Sequence, residues 1–168
     1  MSKFDIKDFK GVIPAVLTVF DKNEDIDEVG MRQLVSYLIN KGVDGLYLTG
    51  STGEGFTMNS EERKRVVEIV IDENKGRVPV VVHVGAIGTR LSIDLAKHAE
   101  VAGADGISSV PPFYWKFNEN QIVKYYEEIA NSCNLPMIVY NVPLAGLLGM
   151  NTIKKLASIE NVKGIKYT

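Results

Sequence analysis

The sequence predicts an α/β protein: part of a TIM (β/α)8 barrel, with six β-strands and five helices forming one domain over residues 1–168 and no second domain. Three observations lead there. Short continuous apolar runs, suited to strands buried on both faces, alternate with segments of helical periodicity. A weak internal repeat relates "GVDGLYL" at 42–48 to "GADGISS" at 103–109, so one repeat spans two β/α units and alternate strands share an entry geometry, as barrel layers require. The first apolar run leads into "FDKNED", without the glycine-rich turn that opens a dinucleotide-binding sheet.

The elements follow in order. "GVIPAVLTVF" (11–20) is a continuous run rich in β-branched residues, expected as the first strand. In 27–41, Met31, Leu34, Val35, Leu38 and Ile39 recur on one helical face. "GLYLTG" (45–50) reads as the second strand. Asn59 followed by Glu62 marks a capping box, with Val66, Val67 and Val70 inside the helix it starts. "VPVVVHVG" (78–85) is the third strand, a shorter helix covers about 90–102, and "GISSVPP" (106–112) is the fourth strand. Asn118 and Gln121 start a helix that buries Ile122, Tyr126, Ile129 and Ala130. "PMIVYNVP" (136–143), a helix over about 151–158 and "VKGIKYT" (162–168) complete the series. The glycines that open the repeated segments are expected to end helices in the left-handed conformation. A whole barrel needs eight strands and about 250 residues. Six strands alone would leave two sheet edges open, so the chain reads as the N-terminal part of a larger fold.

Composition narrows the partners. A net charge of −2 and a pI near 5.7 provide no basic field for nucleic acid and no polybasic stretch for a membrane surface. No apolar run approaches the ~18 residues of a membrane span. The charged N-terminus is not followed by a signal-peptide pattern, and the single Cys133 cannot form an internal disulfide. A cytoplasmic protein is the expectation.

Active sites of such barrels lie at the C-terminal ends of the strands. That rim collects Ser51, Thr52 and Gly53 of "GSTGEG", Tyr114 of "PPFYWKF", Tyr140 of "YNVP", and Lys166. Lys166 is either a snorkelling or ion-paired lysine, or an amine desolvated so that its neutral form can attack a ketone and form a Schiff base. The "GSTGEG" loop is either a plain strand-to-helix turn or a nest of backbone N–H groups and hydroxyls for a small anion such as a carboxylate. It lacks the Lys-Ser/Thr of a phosphate-binding loop. Tyr140 is either a core aromatic or a proton carrier facing the lysine. His83 and His98 lack metal-ligand spacing and read as structural, Cys133 as a small buried hydrophobe, and Trp115 and Phe117 as packing under the 110–118 loop.

Together, G-S-T-G-E, Y-N-V-P and G-I-K-Y-T resemble, in order and spacing, the N-acetylneuraminate lyase and dihydrodipicolinate synthase family of pyruvate-dependent class I aldolases. The resemblance covers essentially the whole chain. It implies that Lys166 is the Schiff-base lysine, Tyr140 the catalytic tyrosine, and Ser51, Thr52 and Gly53 the carboxylate-binding loop, with Thr168 beside the substrate. Tyr114 matches a tyrosine that reaches into a neighbouring subunit's site, which implies a homo-oligomer, usually a tetramer. The implied substrates are small 2-keto acids (pyruvate, N-acetylneuraminate), with no metal or organic cofactor. Tyr167, where the synthases typically carry an acidic residue, and Ala145, where they usually carry arginine, make the chain more similar to the sialic acid lyases. Two alternatives stay open: a dihydrodipicolinate synthase or another 2-keto-acid aldolase, and a truncated, split or engineered partial barrel that is inactive without a complementing fragment.

Overall fold

A computed structural model describes residues 4–168; residues 1–3, at the start of the charged N-terminus, lie outside it. Five parallel strands form one sheet in sequential order: β1 (Leu46–Leu48), β2 (Val80–His83), β3 (Gly106–Ser109), β4 (Met137–Asn141) and β5 (Val162–Tyr167). The helices are α1 (Glu28–Asn40), α2 (Ser60–Asn74), α3 (Thr89–Ala102), α4 (Glu119–Ala130) and α5 (Met150–Ala157). Each of α2 to α5 crosses over between consecutive parallel strands, so β/α units repeat around the sheet. No helix among the described residues is long and apolar enough to cross a membrane.

The expected first strand is corrected. Residues 11–20 run beside β1 but touch it through one isolated bridge, Ala15 to Tyr47. Tyr47 N donates to Pro14 O and Val16 N to Tyr47 O. The next parallel rung toward the N-terminus needs the amide of residue 14, and proline has none, so the ladder stops. The observed strand count among the described residues is five.

The helix starts follow from their sequence signals. Asn59 and Asn118 each accept a hydrogen bond from the backbone N–H three residues on, while the Glu62 and Gln121 side chains bond back to the capping residues' amides. Asp27 caps α1 through Gly30 N. Gly42 and Gly103 take positive φ at the ends of α1 and α3, where a residue with Cβ would be strained. Met31 and Val35 of α1 are fully buried, whereas Leu34, Leu38 and Ile39 are partly buried against the same core.

Register sorts the strand residues by face. Leu46, Leu48, Val80, Val82, Ile107, Met137 and Val139 join helix residues such as Val66, Val70, Ala99 and Ile129 in the main hydrophobic core. Because side chains alternate along a strand, Tyr47, Val81, His83, Ser108, Ile138, Tyr140 and Lys166 fall on the opposite, concave face. That face carries the polar groups.

Candidate active site

The pairing of β4 with β5 places Tyr140 opposite Lys166. The lysine Nζ lies 3.2 Å from the Tyr140 ring centroid and 5.6 Å from that of Tyr47, a cation–π arrangement on two rings. Tyr47 and Tyr140 meet edge to face, with centroids 6.4 Å apart. Tyr47 in turn donates its hydroxyl to Ser108 Oγ at 3.0 Å, which fixes the ring under the amine. Thr168 Oγ1 donates to the Tyr140 hydroxyl at 3.2 Å. Partial burial pushes the Tyr140 phenol up, but the adjacent Lys166 amine and the Thr168 hydroxyl outweigh it, and the phenol sits below its ordinary range. Tyr47, nearly enclosed, is pushed up by burial and stays a neutral donor. The site therefore contains one amine, one acidified phenol and one neutral phenol within a few ångströms.

The second component is the loop after β1. Thr49 leaves the strand at φ +53°, uncommon for a β-branched residue, and its hydroxyl donates to His83 O at 2.9 Å. Glycines close the turn that follows. A Cβ on Gly55 would come within 1.9 Å of Thr49 O, one on Gly53 within 2.6 Å of Val16 O, and one on Gly50 within 2.7 Å of the Tyr47 ring. Only hydrogen fits at these positions, so the "GSTGEG" glycines compact the loop against β1 and Tyr47. Thr18 donates to Gly53 O at 2.6 Å and Gly55 N bonds Gly50 O. Ser51 and Thr52 are exposed at the tip, and no acceptor among the described residues takes the amides of Ser51, Thr52 and Gly53. Backbone N–H groups and hydroxyls gathered in one short loop are the chemistry that suits a small anion such as a carboxylate.

Ser51 also lines a largely apolar cavity of about 310 Å³ at the strand C-termini, walled by Phe56, Val110, Phe113, Val142 and Leu144. Phe56 packs edge-on against both Phe113 and His83. A substrate anchored at Ser51 would meet this wall.

The structure joins Lys166 and Thr168 directly to Tyr140, while the loop of Ser51, Thr52 and Gly53 is linked to them only through Gly50, which packs on Tyr47. Tyr114 stands apart. It is 82% exposed at φ +81°, and its ring contacts Trp115 at 4.6 Å rather than the lysine pair. Trp115, expected as packing, is itself exposed. Cys133 is buried and its thiol is pushed up by that burial; His98 bonds Glu68 on the helix surface. Tyr47 was absent from the residues expected at the site. Its signal was its parity with Tyr140 and Lys166, visible only once register is known.

Known proteins similar to this chain are numerous. The model of the dihydrodipicolinate synthetase family matches residues 8–168. N-acetylneuraminate lyase of Citrobacter koseri is 42% identical over 165 residues, covering 96% of this chain and 56% of the relative. A probable 2-dehydro-3-deoxy-D-pentonate aldolase of Escherichia coli is 42% identical, covering 97% and 55%. Among solved structures, a sialic acid aldolase of Ruminococcus gnavus carrying a catalytic-lysine mutation superimposes with TM-score 0.94 at 36% identity, over 100% of this chain and 55% of that one. A prophage protein of the dihydrodipicolinic acid synthase family from Escherichia coli, in complex with pyruvate, gives TM-score 0.92 at 42% identity, over 95% and 54%. The chain spans about half the length of the curated relatives it matches, and its sheet and helices match the N-terminal half of the family's TIM barrel. By a family match over nearly all its residues and this level of identity, the chain belongs to the dihydrodipicolinate synthetase family.

Proposed function

We propose that the protein containing this chain is a Schiff-base aldolase that cleaves N-acetylneuraminate to N-acetylmannosamine and pyruvate. The observation that carries the reading is the Lys166 amine seated on Tyr140, with the glycine-compacted loop that bears Ser51 and Thr52 packed through Gly50 on the neighbouring Tyr47. In this reading, Ser51, Thr52 and the Gly53 amide hold the substrate carboxylate. Lys166 attacks the C2 ketone, water leaves, and the protonated imine becomes an electron sink. Tyr140, acidified by the adjacent amine and by Thr168, takes the proton of the C4 hydroxyl as the C3–C4 bond breaks. N-acetylmannosamine departs, the enamine is protonated at C3, and hydrolysis releases pyruvate and the free lysine. The chain's own residues supply nucleophile, proton carrier and anion site, so the reading needs no metal or organic cofactor. A homo-oligomer in the cytoplasm fits it, with the exposed Tyr114 as the residue offered to a neighbouring subunit.

A second reading is another 2-keto-acid aldolase with the same imine. It is favoured by relatives of nearly equal identity that are named as aldolases of 2-dehydro-3-deoxy sugar acids. Borohydride reduction in the presence of pyruvate should leave a covalent adduct on Lys166 in the full-length protein. An adduct that persists unchanged in Lys166→Ala would sink both readings. Pyruvate release from N-acetylneuraminate, compared with release from 2-dehydro-3-deoxy sugar acids, separates them.

A further inference from the structure

Arg63 of α2 is a buried cation without a carboxylate partner. It is 5% exposed, and among the described residues no carboxylate is one of the charges that act on it. Its guanidinium reaches the end of β2, where Nη1 donates to Gly85 O at 3.0 Å and Nη2 to His83 O at 2.6 Å. Its Nε has no hydrogen-bond partner among the described residues. Burial pushes the group down to about 10, which leaves it charged at neutral pH. An isolated buried charge is costly, so its position calls for an explanation.

The carbonyl that Arg63 grips is the one that also accepts the Thr49 hydroxyl. Thr49 is the residue held at positive φ, and its backbone is the floor on which Gly53 and Gly55 pack. Left-handed β-branched residues persist where surroundings over-determine them. The chain of contacts therefore runs from Arg63 through His83 O to Thr49, and from Thr49 to the turn bearing Ser51 and Thr52. Its charge is also felt at Tyr47 under the loop. The His83 ring extends the same hub: its Nε2 accepts from Val110 N at 3.2 Å, at the base of the loop that carries Tyr114.

We infer that Arg63 is a positioning residue for the substrate carboxylate, its fork holding the end of β2 so that Thr49 sets the shape of the Ser51–Gly53 anion loop. A lysine there would keep the charge but not the two-pronged grip. The inference rests on the proposed imine chemistry, and the test separates the two. In the full-length protein, the rate of borohydride trapping is measured against ketone concentration, once with pyruvate and once with hydroxyacetone, which has no carboxylate. Arg63→Lys and Arg63→Met should raise the pyruvate concentration for half-maximal trapping by roughly tenfold or more. The maximal rate should stay within about threefold, and hydroxyacetone trapping should be unchanged in Arg63→Lys. If Arg63→Met does not fold, Arg63→Lys carries the test. Native concentration dependence in Arg63→Lys, or a parallel loss with both ketones, overturns the inference while leaving Lys166 as nucleophile. A native protein that traps neither ketone overturns the function proposal and this inference with it.

Discussion

At the scale of single residues, charge and burial are set against each other on the concave face. Lys166 and Arg63 are two cations, and the charge of each is felt at His83, which is 1% exposed. Burial, then Arg63, then Lys166 hold this imidazole down to about 3, against an ordinary value of 6.5. The sign of the consequence is fixed. Above pH 6.5 the histidine is neutral in both folded and unfolded chains and costs nothing. As pH falls from 6.5 toward 3, the unfolded chain binds a proton that the folded one refuses, so stability is lost through that window. By pH 4.5 the loss should reach roughly 3 kcal/mol. The depressed carboxylates of Glu28, Asp72 and Glu119 lose their contribution only lower, as they protonate. Urea midpoints measured from pH 7.5 to 4.5 should fall in the native protein and flatten above pH 5 in His83→Gln, whose side-chain oxygen can still accept from Val110 N. Equal slopes in the two proteins would count against a buried neutral His83.

At the scale of elements, local chemistry decided most boundaries. The Asn59–Glu62 and Asn118–Gln121 boxes were legible because a side-chain oxygen three residues from a free amide needs no tertiary context. Asn118→Ala should cost about 1 kcal/mol and lower the melting temperature by about 2–4 °C, measurable by calorimetry. No change would mean that α4 is held by its packing alone. The first apolar run was misread because residue type and ladder chemistry disagree. Its β-branched residues favour extension, but Pro14 removes the amide needed beside Gly45. The candidate site was legible in part. Lys166, Tyr140, Ser51 and Thr52 stood out as polar groups at strand ends. Tyr47, Arg63 and His83 did not, since one looks like a core aromatic, one like a surface helix residue, and one like a buried histidine. Their roles come from register and from α2 crossing behind β2.

At the scale of the whole molecule, the sheet is open. The outer face of β5 shows Ile165 at 45% and Tyr167 at 65% exposure, over an apolar groove of about 210 Å³ lined by Val139, Ile153, Leu156 and Val162. On the other side of the sheet, Val12 and Leu17 are exposed beside β1. Open edges and bare apolar faces associate in water. Expressed as 168 residues alone, the chain should self-associate in sedimentation and show little or no lyase turnover. A monodisperse monomer with turnover equal to that of a completed barrel would refute this.

The sequence by itself determined the β/α alternation, the helix starts, and the residue types able to form an imine, because these depend on spacing and local hydrogen bonding along one chain. Tertiary structure alone decided that Tyr140 faces Lys166, that Tyr47 lies beneath both, and that a buried arginine grips the carbonyl behind the Ser51–Gly53 loop. Those relations join residues 20 to 119 positions apart. A strand's register, fixed by packing the opposite face against the helices, sets which side chains meet.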